Sequence, residues 1–180
     1  MAYSKYMENT PILIKTEIED VEARLARLQS YVNKVEESQK VMIRAIQKGE
    51  FEAFSEEDVR FHLSHDPNMI AEAGLFLAKI QRSYEYAKVD TQTILAEIWN
   101  ECNQKKDILG LTNAKDRESW VKTQPRYIEA IRQEIEWKYN LQRMQVIYDR
   151  YENLFVGSRK IASLIEKDNE NNYRREKYEG

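Results

Sequence analysis

The sequence predicts an all-α protein: a long antiparallel helical hairpin or bundle, preceded by an N-terminal coiled-coil helix with a heptad pattern. Three features lead there. Helix breakers are scarce, with 5 Gly and 3 Pro in 180 residues. Hydrophobic residues make up 42% and charged ones 33%, and the abundance of Glu, Lys, Gln, Arg, Ile and Leu favours long helices over a sheet with many turns. Apolar residues recur at steps of three and four along most of the chain, the repeat of one face of a helix. The length suits one ordinary domain, or a small domain with an extension.

The first helix starts where Thr10 can cap and Pro11 can take the first helical position, whose N–H would have no helical partner in any case. Its apolar positions are Ile14, Ile18, Val21, Leu25, Leu28, Val32, Val35, Met42 and Ile46, with Gln39 as the one polar interruption. Regularity of this length reads as a coiled-coil seam, and a single polar residue on a seam sets register or oligomer state at some cost in stability. Ile18, Val21, Leu25, Leu28, Val32, Val35, Gln39 and Met42 are therefore the candidate oligomerisation residues. The helix either joins the bundle or projects and pairs with another chain. Gly49 should end it.

Residues 49–65 read as a connecting segment. Ser55 and Asp58 have capping-box spacing for a short helix over about 56–63, anchored by Phe51, Phe54, Val59, Phe61 and Leu63. Asp66 and Pro67 then mark a sharp new start. The stripe beyond them is Ile70, Ala73, Leu77, Ile80, Tyr84, Ala87, Thr91, Ile94, Ile98 and Cys102, with small and large residues alternating as close helix packing requires. Gly110 and Asn113 mark a turn, Trp120 and Val121 lie in a shorter helical piece, and Thr123 and Pro125 open the last helix.

That last helix is expected over about 125–165. Its stripe runs Ile128, Ile131, Ile135, then Leu141, Met144, Tyr148, Tyr151, Phe155, Ala162 and Ile165, widened by Ile147, Leu154 and Ile161. A wide apolar face contacts more than one helix. The organisation expected is a coiled-coil helix over 10–48, a connector over 49–65, a helical hairpin over 66–167 and a polar, disordered tail over 168–180.

Catalysis finds little footing. Cys102 is the single cysteine and lies on an apolar stripe, so it reads as a buried, inert thiol in a reducing compartment. His62 and His65 sit three apart near Asp58 and Asp66 but lack a second ligand motif, so no metal site is expected. The glycines are isolated rather than gathered in a phosphate-binding loop, and no carboxylate sits in an apolar run that would tune it for proton transfer. No enzyme activity and no cofactor are expected. Residues 1–6 carry no signal-type apolar core, and no stretch approaches the roughly 18 apolar residues of a membrane span, so the expected location is the cytoplasm, without membrane contact.

Net charge is −3, but residues 115–180 hold 14 basic against 12 acidic residues, and the acidic excess lies earlier. Lys138, Arg143, Arg150, Arg159 and Lys160 outnumber Asp149 and Glu152 within 138–165, and Arg143 and Arg150, seven apart, share a face. Eleven tyrosines accompany them, among them Tyr84, Tyr86, Tyr127, Tyr139, Tyr148 and Tyr151. Aromatic rings stack on single-stranded bases while cations hold the phosphates, so these five basic residues are the candidate DNA contacts. The alternative is that the tyrosines pack between helices and the charges are solvated.

The stretch Asp66-Pro67-Asn68-Met69-Ile70-Ala71-Glu72-Ala73, with Leu77-Ala78-Lys79 and Tyr84-Glu85-Tyr86-Ala87-Lys88, resembles phage recombination mediator proteins of the UvsY type. Trp120-Val121, Tyr127-Ile128-Glu129-Ala130, Lys138-Tyr139-Asn140, Phe155, Arg159-Lys160 and Leu164 extend the likeness over about 66–167. The resemblance implies a phage protein of the host-cell cytoplasm, oligomeric, that binds single-stranded DNA and helps load a recombinase onto strands covered by single-strand-binding protein. Arg159 and Lys160 match that family's terminal basic pair. The N-terminal heptad helix and the overall acidity depart from the pattern. A structural or adaptor coiled-coil protein with only protein partners is the other expectation.

Overall fold

The computed structural model describes the backbone of residues 10–50 and 56–179, with side chains over 20–50, 57, 59–60, 67–175 and 177–178. The fold is all-α: α1 spans Thr10–Lys48, α2 Glu56–Lys105, α3 Ala114–Lys122 and α4 Pro125–Glu179, and no strand occurs among the described residues. Two compact units divide the chain, one of residues 1–75 and 145–180, the other of residues 76–144. Both α2 and α4 contribute to each.

Unit one packs three helical segments. Along α1 and α4, Tyr31 stacks on Tyr151 at 5.9 Å between ring centroids, Glu36 meets Arg150, Gln39 meets Leu154 and Met42 packs with Ile161. From Glu36–Arg150 through Gln39–Leu154 to Met42–Ile161 the residue numbers rise together, so these two segments run parallel. Arg24 pairs with Glu72 and Met42 packs with Val59, so α2 runs antiparallel to α1. Val21, Leu25, Leu28, Val32, Val35, Gln39 and Met42 are all buried within this one chain. The expected seam is therefore filled by α2 and α4 rather than left for a second chain. The side chains of Ile18, His62, His65, Asp58 and Asp66 lie outside the described residues, as do Phe51 and Phe54.

At the end of α1, Gly49 adopts φ 76°. This left-handed conformation lets the Gly49 N–H reach Ile46 O and the Glu50 N–H reach Ala45 O, closing the last carbonyls. The start expected at Asp66 and Pro67 is instead the interior of α2, because Pro67 lies within a continuous helix from Glu56. An internal proline removes one backbone hydrogen bond and costs about 3 kcal/mol. Pro67 faces solvent, where water can serve the freed carbonyl, and Val59 and Ala73 bury the segment on either side of it.

Unit two packs segments of α2 and α4 with α3. The Thr91 hydroxyl donates to Ala87 O at 2.9 Å and lies 3.3 Å from Ala130 O, while Arg126 pairs with Glu97 and Glu101. Numbers fall on one helix as they rise on the other, the antiparallel sense. Ile98, Cys102 and Val121 form its core, flanked by Ile94, Leu95, Trp99, Leu111, Trp120 and Tyr127. Asn113 begins α3 by accepting from the Asp116 N–H at 2.8 Å, and Thr123 ends it by donating to Trp120 O at 2.8 Å.

Two expectations for the last helix need correction. It does not end near residue 165 but continues through Glu179, so the expected disordered tail is helical. Each added residue of a formed helix gains a backbone bond without a new nucleus, and Asn172 adds a side-chain bond to Asp168 at 3.1 Å. Its buried seam also differs. It runs Ala130, Trp137, Asn140, Met144, Ile147, Tyr151, Leu154, Ser158 and Ile161, whereas Ile128 and Ile135 face outward. The segmentation differs as well: the hairpin expected over 66–167 is shared between the two units.

Candidate interaction surfaces

The five basic candidates on α4 do not gather in one unit: Lys138 and Arg143 belong to unit two, and Arg150, Arg159 and Lys160 to unit one. Arg150 faces inward. Its Nε donates to Glu36 Oε1 at 2.7 Å and its Nη2 to Asn33 Oδ1 at 2.9 Å. The bond from Arg150 lowers the Glu36 pKa against the opposing effect of burial, and the same bond raises that of Arg150. Arg150 is a packing residue that ties α4 to α1, which corrects its assignment as a DNA contact. Its proximity to Arg143 in heptad spacing carried no information about this partner.

The other four remain at the surface to different degrees. Lys138 and Lys160 are exposed. Arg143 is half-buried, with its guanidinium carbon 5.4 Å from the centre of the Tyr139 ring. Arg159 lies over Phe155 at 5.8 Å. Cation–ring pairs of this kind are worth about 0.5–1 kcal/mol at exposed sites such as Arg159. Farther along α4, Tyr173, Arg174, Arg175, Lys177 and Tyr178 are all exposed. This aromatic and basic cluster fell in the expected tail and was missed because helix was not expected there.

A second surface was also missed. On α4 in unit two, Ile128, Ile135 and Tyr139 are 47%, 61% and 56% exposed. Their spacings of seven and four place them on one stripe, opposite the buried residues Ala130, Trp137 and Met144. The signal was present in the sequence as two interleaved heptads on one helix, one facing the core and one facing out. The expected stripe took Ile128 and Ile135 as core-facing and left out Ala130 and Trp137, which hid the outward one.

Among the remaining features, Cys102 is fully buried in the unit two core, and no group of three or more potential metal ligands occurs among the described residues. An open groove in unit one is lined by Arg24, Arg27, Leu28, Tyr31, Met69 and Glu72, and the Arg24–Glu72 ion pair spans it at 2.9 Å. No helix among the described residues is long and apolar enough to cross a membrane.

Fold and surface together define a protein of long packed helices. Comparison with protein-family models, with curated proteins and with solved structures finds no match to this chain.

Proposed function

We propose that this chain is a non-catalytic docking protein that presents rigid helical surfaces to other macromolecules, with protein partners foremost. The observation that carries this reading is the outward stripe of α4, where Ile128, Ile135 and Tyr139 stay exposed on a helix whose opposite face is fully packed. Large apolar side chains aligned on a rigid element are a recognition surface, since binding buries them with little ordering of the helix. Hydroxyl-radical footprinting of the purified chain, alone and in clarified lysate, tests it. Tyr139 and Ile135 should be oxidised less in lysate than the exposed Tyr86, which lies outside the stripe. Equal oxidation under both conditions would overturn the reading.

Single-stranded DNA binding by an oligomer, in a recombination accessory role alongside a recombinase and a single-strand-binding protein, is a second reading. It is favoured by Tyr173 and Tyr178 exposed beside Arg174, Arg175 and Lys177, and by Arg159 and Lys160 one stretch earlier on α4. Stacked bases contribute about 1–3 kcal/mol each, and phosphate contacts make binding salt-dependent. Fluorescence anisotropy with a labelled oligonucleotide should then show binding that weakens steeply with salt. Arg159→Glu combined with Lys160→Glu should reduce it. Absence of binding at low salt removes this reading and leaves the first untouched.

A further inference from the structure

The open groove of unit one gathers two helix faces. On α1, Leu28 and Tyr31 follow Arg24 by four and seven positions and Arg27 by one and four, which sets the group on one side of the helix. On α2, Met69 and Glu72 are three apart and meet that side from the antiparallel helix. The space they enclose is about 530 Å³. Small-molecule sites usually span about 300–1,000 Å³. Leu28 is buried, and Met69 and Tyr31 are half-buried, so these three make an apolar floor. The Tyr31 ring is held there by its stack on Tyr151. Arg24, Arg27 and Glu72 form the rim.

The rim charges do not cancel. Arg24 is paired with Glu72 at 2.9 Å. Arg27 is exposed, and the residues three and four positions from it on α1 are Ala23, Arg24, Ser30 and Tyr31, none of them acidic. No described residue gives its guanidinium a hydrogen bond or an ion pair. The groove therefore holds one uncommitted cation above an apolar floor, with one carboxylate on the rim. That arrangement fits a ligand with a single negative charge on an apolar body. A guanidinium can grip a carboxylate through two parallel N–H···O bonds, while the body covers the floor. A dianion such as a phosphate monoester would be repelled by Glu72. An extended peptide fits poorly, because its backbone N–H and C=O groups would lie on a floor that offers few partners.

We infer that the groove between α1 and α2 in unit one binds a small amphiphilic monocarboxylate, with the carboxylate on Arg27 and the apolar body on Leu28, Met69 and Tyr31. This is independent of the docking reading, which rests on α4.

The test uses the full chain with isotope-labelled methionine methyl groups, titrated with octanoate at neutral pH. The Met69 methyl resonance, identified by its loss in Met69→Leu, should shift and saturate. The resonances of the buried Met42 and Met144 should stay in place. Octanol and octylammonium should leave Met69 unshifted at the same concentrations, and octyl phosphate should bind more weakly than octanoate. Arg27→Gln should keep the helix content, since Arg27 is exposed and unpaired, and should weaken octanoate binding about tenfold through loss of a charge-assisted contact. Absence of a saturable Met69 shift overturns the inference. So does an equal response to octanol, an unchanged affinity in Arg27→Gln, or tighter binding of octyl phosphate or of an acetylated leucine dipeptide than of octanoate.

Discussion

The side-chain oxygen of Gln39 occupies the space in which a side chain at position 157 would begin: a Cβ on Gly157 would lie 2.8 Å from Gln39 Oε1. The Gln39 amide cannot simply step aside, because its Nε2 donates to Leu154 O at 2.6 Å and to Ser158 Oγ at 2.7 Å in a buried setting. Gly157 thus lets α1 and α4 approach, and Gln39 pins their register. Gly→Ala within a helix ordinarily gains about 0.5–1 kcal/mol. Here Gly157→Ala should instead lose about 1–2 kcal/mol, because a buried amide left with broken bonds costs about 1–3 kcal/mol. In a Gln39→Ala background the sign should reverse, since Ser158 can still bond Leu154 O within its own helix. Denaturant midpoints of the four chains give the coupling directly, and simple additivity would refute it.

The Glu36–Arg150 pair gives the fold an acid-sensitive contact. The bond from Arg150 holds the Glu36 carboxyl below its ordinary 4.5, with burial opposing and the charges of Arg150 and Lys40 assisting. Both side chains are 28% exposed, so solvent screens the pair only partly. A carboxyl with a lowered folded pKa stabilises fully above its ordinary value and loses that contribution as pH falls through the lower, folded value. Thermal melts at neutral pH and at pH below the ordinary carboxyl range should show this. Glu36→Gln should cost about 1 kcal/mol near neutrality and make the chain less acid-sensitive than wild type over that window. An identical pH slope in both chains would count against the pair.

Arg150 also shows what a sequence can conceal. Its charge and heptad spacing from Arg143 pointed to solvent, yet its partner Glu36 lies on another helix, 114 residues away. Tertiary pairing of that kind leaves no local trace. The seam of α1 was legible, because Val21, Leu25, Leu28, Val32 and Val35 repeat without ambiguity and Gln39 stands out among them. That of α4 was not: Ala130, Asn140 and Ser158 are small or polar yet buried, while Ile128 and Ile135 are apolar yet exposed. Hydrophobicity ranked the wrong residues, and only the packing of two neighbours onto one helix decides which heptad turns inward. The end of α1 was read correctly at Gly49, where a glycine dictates the geometry, whereas Asn113 was read as part of a turn and not as the cap of α3. A helix start was misread at Pro67, where packing overrides a strong local signal.

Asn140 is fully buried, and neither its amide nitrogen nor its amide oxygen has a hydrogen-bond partner. Each unpaired buried polar group costs about 1–3 kcal/mol. Truncating a buried side chain normally destabilises, but Asn140→Ala removes both groups, leaves a small void and improves helix propensity. The expected result is a chain more stable by about 1–2 kcal/mol, seen as a higher thermal midpoint. A lower midpoint would mean that the amide is satisfied in solution and that its seam position is a register device like that of Gln39.

Leu25 separates the two roles open to the first helix. It is completely buried among the side chains of its own unit, so Leu25→Asp places a carboxylate where nothing can pair with it. Loss of the packed side chain alone costs about 2–5 kcal/mol, and burial of the charge adds to that, against a total of about 5–15 kcal/mol for a domain. Circular dichroism should therefore report loss of cooperative melting and of much helix content. Leu25→Met, which nearly conserves volume, should cost less than about 1.5 kcal/mol. Had the seam from Val21 to Met42 joined separate chains, the same aspartate would lower the mass by light scattering and leave a folded monomer. A helical, cooperatively melting Leu25→Asp chain would show that α1 detaches from α2 and α4 in solution, and the parallel pairing of α1 with α4 would have to be abandoned with it.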